Sequence, residues 1–268
     1  MTISAKIIAD SISQAGKRIT TMVIKYPRFI HSEFMTHRVF SRNASSSRAI
    51  PVDRMIEDIK QEIAKPVIWA KNQKGISSGA ELDNNQKLIC EHIWEEVAEF
   101  AMRKCALLKE IGVHKSIANR ILEPFAHITT IVTSTEWDNF FKLRISPAAQ
   151  PEICDLATKM KTEMDKSNPK TISNDEWHLP FGDMYVDEGL SLENRIKISV
   201  ARCARVSYLN FEGNIDHEKD YNLHDILAKE GHWSPFEHCA CPNTNIHAMT
   251  GNFIGWIQYR QKMEKQNG

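Results

Sequence analysis

A chain of 268 residues is long enough for one substantial domain or two small ones, and 42% hydrophobic with 25% charged residues suits a globular protein with a proper core. Thirty-four basic residues balance thirty-four acidic ones, which excludes the basic excess of a dedicated polynucleotide-binding module but leaves room for a local anion site. No apolar run approaches the roughly 20 residues needed to cross a bilayer, Met1 to Ala9 lacks the apolar core of a secretion signal, and six scattered cysteines form no C-x-x-C, so a reducing cytoplasm is the expected compartment.

Ile19 to Ile24 is rich in β-branched residues and predicts a strand ended by Tyr26-Pro27, after which Phe29 to Phe40 reads as helical and Arg42 to Arg48 as a polar loop. Glu81 to Gly112 predicts a long amphipathic helix whose apolar face is Leu88, Ile89, Ile93, Val97, Phe100 and Ala101, with Gly112 as its stop. Lys115 to Leu122 opens another helical segment, closed near Pro124, and Ile128 to Thr133 is a short strand-like run. Thr135, three residues before Asp138, predicts a capped helix start. Pro151 to Met164 is a further helix with Ile153, Leu156, Ala157 and Met160 on one face, whereas Ser167 to Ser191 carries Pro, Asn, Gly and Asp and reads as a long surface loop. Arg195 to Val206 and Tyr221 to Lys229 are helical, His232 to Cys241 runs from loop into strand, and a last helix starts near Phe253. The expected class is α+β, a small mainly antiparallel sheet packed with several long helices in one domain over 1–268.

Three segments carry chemistry. Between Lys25 and Arg54 six Lys/Arg face two acids, and within this stretch His37 to Arg48 interleaves guanidiniums with hydroxyls, a donor set that suits a phosphate; composition alone supports a solvated linker equally. In a helix from Thr135, residues Trp137, Phe140, Phe141 and Arg144 fall at i, i+3, i+4 and i+7, placing Arg144 on an apolar face. An unpaired charge there is costly, so Arg144 must reach water, pair with an acid, or meet a ligand. Finally, His232-Trp233-Ser234-Pro235-Phe236-Glu237-His238 gathers two imidazoles, a hydroxyl and a carboxylate around a proline. Its spacing, and that of Cys239-Ala-Cys241, fits no strong zinc pattern, so no metal site is expected and a polar cofactor is preferred.

Together these segments resemble the flavin-dependent thymidylate synthases. His37-Arg38, seven residues and Ser46, followed by Arg48, match most of that family's Arg-His-Arg-x7-Ser signature. Asn139-Phe140-Phe141-Lys142-Leu143-Arg144 with Ala149-Gln150-Pro151-Glu152-Ile153 is similar to its Asn-Phe-Leu-x-Leu-Arg and Ala-Gln-x-Glu-Ile stretches, and Ala204-Arg205-Val206-Ser207-Tyr208 and His232-x-Ser234-Pro235-Phe236-Glu237-His238 match two more. In familiar bacterial members the last two precede the His-Arg signature; here they follow it, as in a permuted, phage-like branch. The first signature arginine is Thr36, an expected glutamate is Ala44, and an expected Asn-x-Arg reads Thr133-Ser134-Thr135.

The resemblance implies FAD contacts at His37, Arg38, Val39, Asn43, Asn139, Ser207, His232, Ser234 and Glu237, a nucleotide phosphate on Ser46 and Arg48, Arg120 also on the nucleotide, and Arg144 facing the pyrimidine. Gln258 and Arg260 are candidates to replace the missing contacts. The implied reaction carries a one-carbon unit from methylene-tetrahydrofolate to C5 of dUMP with NADPH as reductant, in a homotetramer. A hydroxymethyl product on dUMP or dCMP is the near alternative, and a catalytically inactive nucleotide-binding protein the more distant one. A metal-dependent hydrolase built on His232, His238 and the cysteines ranks last.

Overall fold

The computed structural model describes residues 3–74, 79–207 and 216–267. Its centre is a five-stranded sheet in the order β3-β4-β2-β1-β5, formed by β1 (Ser4–Ser13), β2 (Arg18–Pro27), β3 (Ser41–Ala44), β4 (His127–Ser134) and β5 (Lys170–Ile172). All pairings are antiparallel except β5 on β1. The β1–β2 hairpin turns at Gly16, whose φ of 80° suits a residue without a Cβ.

Two faces of this sheet are covered, so β2 is buried almost throughout and reads in sequence as a continuous β-branched run instead of an alternation. On one face Met22, Ile24 and Tyr26 pack with α1 (His31–Met35), α5 (Asp138–Arg144) and α6 (Pro151–Lys166) through Phe34, Phe140, Leu156 and Met160. Tyr26, Phe34, Phe40 and Phe140 are no more than 1% exposed, and each such burial contributes about 1.5–3 kcal/mol. On the opposite face Val23 and Ile131 meet Cys203 of α7 (Leu192–Ala204) and Val206; α8 (His217–Glu230) packs on α7. A third cluster joins α2 (Val52–Gln61), α3 (Asn84–Glu110), α4 (Lys115–Ala118) and a 3-10 segment at Asn119–Phe125. The chain ends with β6 (Ala240–Pro242), β7 (Met249–Thr250), β8 (Phe253–Ile254), β9 (Trp256–Gln258) and α9 (Tyr259–Asn267).

The α+β expectation holds, but six local readings change. Arg42 to Arg48 is not all loop: its first part lies in β3, where the β4 edge completes its hydrogen bonds. Residues 36–40 leave the helix, because the turn there is held by Arg42 donating to the carbonyls of Met35 and His37. Thr135 does not cap α5; its Oγ1 accepts from the Ile254 N–H at 3.0 Å. Residues 167–191 are no surface loop, since Ile172, His178 and Leu179 are buried and the His178 backbone exchanges both hydrogen bonds with Ala240. The terminal helix starts at Tyr259, after strands that the sequence reading placed inside it. The α3 expectation was right in extent, but of its expected face only Ala101 is buried, alongside Ala98, Met102 and Cys105, while Leu88, Ile89, Ile93, Val97 and Phe100 are exposed.

Candidate active site

The edge strand β3 and the turn before it organise the site. His37 is 7% exposed, with Phe140 edge-on at 4.8 Å and Phe40 at 5.8 Å. Arg144, at the last turn of α5, donates its Nε–H to His37 Nε2 at 2.9 Å and an Nη2 hydrogen to Thr36 Oγ1 at 3.2 Å. Trp137, Phe140 and Phe141 bury the same helix, so the aromatic residues fix where the guanidinium emerges. No carboxylate pairs with Arg144 among the described residues, and its charge stays available to an anion. Burial, and then the nearby Arg144 and Arg42, lower the His37 pKa to about 4, which keeps the imidazole neutral and able to accept.

After β3 comes the hydroxyl loop, which is pinned instead of free. Ser45 Oγ accepts from the Thr129 N–H, Arg28 donates to the Ser45 carbonyl, Ser47 Oγ donates to Glu123 at 2.5 Å, and the Asn119 amide donates to the carbonyls of Ser47 and Ile50. Arg120 also pairs with Glu123, at 3.0 Å. Within this frame Ser46 is half-buried and Arg48 exposed. Arg28 was not singled out from sequence; it is half-buried, its Nε has no partner, and only its place in the basic stretch hinted at it.

The later motifs fold back onto the same strands. Asn43 donates its amide to the carbonyl of Cys203, just before Ala204-Arg205-Val206, at 3.3 Å; the side chain of Ser207 and all of Tyr208 lie outside the described residues. The 3-10 turn Ser234–Glu237 packs on β3, and its following residue His238 is hydrogen-bonded through Nδ1 to Thr133 Oγ1 at 2.8 Å. Gln258 is 2% exposed at the end of β9 and donates to Ser41 Oγ at 3.0 Å, with Glu237 O at 3.5 Å. Glu237 in turn holds Arg260 at 2.7 Å, and Arg260 also pairs with Glu264.

The Thr133–His238 bond belongs to a buried chain. Ser11 Oγ meets His178 Nδ1 at 2.9 Å, His178 Nε2 meets Thr21 Oγ1 at 2.8 Å, and Thr21 meets Thr133 at 2.7 Å. Burial holds both imidazoles neutral, with pKa values lowered to about 3. Sequence reading missed this chain, since its members come from five distant positions.

Arg38, Asn139, His232 and Ser234 are exposed, and Val39 is half-buried. His232 lies beside Glu230 at 3.3 Å while His238 is fully buried, so the two imidazoles of the motif are not brought together. Among the described residues no three His, Cys, Asp or Glu side chains group as a metal site. Burial pushes the Cys239 thiol up to about 12 and the Cys203 thiol well above its ordinary value, so neither offers a thiolate.

A family model described as thymidylate synthase complementing protein matches residues 17–170. The chain belongs to this family. It is accordingly a thymidylate synthase-like methyltransferase. The match spans the signature at His37–Ser46 and the α5 helix with Arg144, while the Ala204 and His232 stretches lie beyond it. Two similar solved structures are of a UMP/dUMP methylase, PolB from Streptomyces cacaoi, bound with 5-Br dUMP or 5-Br UMP. They are 18% and 15% identical to this chain, cover 62% of it and 90% and 89% of their own length, with TM-scores of 0.49 and 0.50. At such identity the likeness is one of fold. No curated protein sequence matches. No helix among the described residues is long and apolar enough to cross a membrane.

Proposed function

We propose that the chain transfers a one-carbon unit to C5 of a pyrimidine deoxynucleotide monophosphate, dUMP to dTMP, using FAD, methylene-tetrahydrofolate and NADPH. One observation carries this reading: four segments remote in sequence converge on β3, β4 and the turn before β3 through Arg144–His37, Asn43–Cys203, Thr133–His238 and Gln258–Ser41. The motifs stand in permuted order along the chain, yet contacts join them, as a permuted member of the family requires.

Arg144 would face the pyrimidine. A guanidinium stays protonated, so it stabilises negative charge on the ring as C5 becomes nucleophilic. Ser46 and Arg48 would hold the phosphate, Arg120 would also contact the nucleotide, and Gln258 and Arg260 would replace the missing contacts. The residues present suit FAD: Arg38, Asn139 and Ser234 are exposed polar groups without a hydrogen-bond partner among the described residues, as a large polar cofactor needs. With His37, Val39, Asn43, Ser207, His232 and Glu237 they would bind and orient it. Bound FAD would supply the one-carbon relay and the reducing electrons. The proposed assembly is a homotetramer and the proposed compartment the cytoplasm.

One departure from the family pattern leaves room for a second product. Where the family has Asn-x-Arg, Thr133 is committed to Thr21 and His238, Ser134 to the Val39 and Glu136 carbonyls, and Thr135 to the Ile254 N–H. None of the three offers a charged contact to the nucleotide, which leaves hydroxymethylation of dUMP or dCMP open to the same site. Product masses from dUMP and dCMP, with methylene-tetrahydrofolate, NADPH and FAD, test both readings. A gain of a methyl group supports the first and a hydroxymethyl group the second; no turnover on either nucleotide overturns both.

A further inference from the structure

Helix α3 has two apolar faces. Ala98, Ala101, Met102 and Cys105 pack it against α2 and the 119–125 segment. On its other side Ile89, Ile93, Val97, Phe100, Leu107 and Ile111 are 46% to 77% exposed. From Ile93 the stripe advances by four, three, seven and four residues, and Lys104 fills the gap between Phe100 and Leu107. From Ile93 to Ile111 this is the 3.5-residue repeat of a helix–helix seam, sustained for about 27 Å at 1.5 Å per residue, and Ile89 extends the apolar stripe one turn further.

Charges along the stripe select the occupant. Lys104 lies over the Phe100 ring at 5.1 Å and has no carboxylate partner among the described residues. Glu96 has only His92, at 3.5 Å and on its own helix. Both sit four residues from Phe100, on opposite sides. A two-fold axis through Phe100 therefore sets Glu96 against Lys104 of the partner subunit, Ile93 against Leu107 of the partner subunit, and Ile89 against Ile111 of the partner subunit. Parallel pairing in register would instead oppose lysine to lysine and glutamate to glutamate.

We propose that the exposed face of α3 is an isologous interface, in which two copies of this chain pair their α3 helices antiparallel about Phe100. This deepens the assembly proposed above by naming its surface and register. The readouts are mass and cross-linking, so it can fail while nucleotide turnover stands, and turnover can fail while it stands.

Sedimentation of the full chain, with circular dichroism as a folding control, provides the test. Phe100→Asp halves the assembly mass. Glu96→Lys or Lys104→Glu alone raises the dissociation constant at least tenfold, and the double reversal restores it. Phe100→Cys forms a disulfide-linked dimer under mild oxidation that the parent chain does not. A monomeric parent chain, a mass unchanged by Phe100→Asp in a folded variant, or a double reversal no better than the singles overturns the proposal.

Discussion

Arg144 donates to the Nε2 of His37 at 2.9 Å, and this bond exists only while the imidazole is neutral. The two residues come from either end of the signature region, one in the turn before β3 and one closing α5. Their pairing lets a partly buried guanidinium keep a fixed direction without being neutralised by an acid.

Replacement of Arg144 should therefore act on turnover more than on folding. Arg144→Lys keeps the charge and loses the fork, and Arg144→Ala loses both; the expected fall in turnover is roughly 10²–10³-fold, the cost of one preorganised electrostatic donor. Tritium release from a C5-tritiated nucleotide measures it, alongside an unfolding midpoint that stays near the parent value. Unchanged tritium release in Arg144→Ala would remove the residue from the reaction.

His37 also sets a pH dependence. Its pKa is lowered from 6.5 to about 4, chiefly by burial. Between those values the unfolded chain takes up more protons than the folded one, so stability falls as pH drops from about 6.5 to 4. His127, lowered to about 4, and His178 and His238, lowered to about 3, act in the same direction. Denaturant titrations at stepped pH should show this slope. In His37→Gln, whose amide oxygen can still accept from Arg144, the slope should flatten.

Thr133 is the middle of the buried hydroxyl–imidazole chain. Thr133→Val keeps the shape but leaves His238 Nδ1 without its partner and shortens the options of Thr21. A buried polar group left unpaired costs about 1–3 kcal/mol. Urea denaturation should report a loss of that size for Thr133→Val and a smaller one for Thr133→Ser, which retains the hydroxyl.

Arg48 is exposed on a loop whose neighbours are held by Glu123, Asn119 and Arg28. Because the frame does not depend on it, Arg48→Ala should leave stability within about 0.5 kcal/mol. If it holds the phosphate, nucleotide affinity falls about tenfold or more, as for a lost charge-assisted hydrogen bond. Isothermal titration with dUMP decides, and an unchanged affinity would take Arg48 out of the phosphate site.

Local pattern in the sequence was enough for the α+β class, the positions of β2, β4, α3, α6, α7 and α8, and the resemblance that the family match bears out. These depend on periodicity and short motifs, which a chain carries whatever its tertiary contacts. Tertiary structure alone decided the rest. Residues 167–191 look like a loop by composition, yet His178 is buried because it bridges Ser11 and Thr21, partners more than 150 positions away. Thr135 resembles a helix cap, but a distant backbone N–H claims its hydroxyl. On α3 the larger apolar residues looked like the core face, whereas the small side chains of Ala98, Ala101 and Cys105 let the helix approach closely and were buried instead. Hydrophobic periodicity marks surfaces that leave water; it does not say whether the same chain or another one covers them.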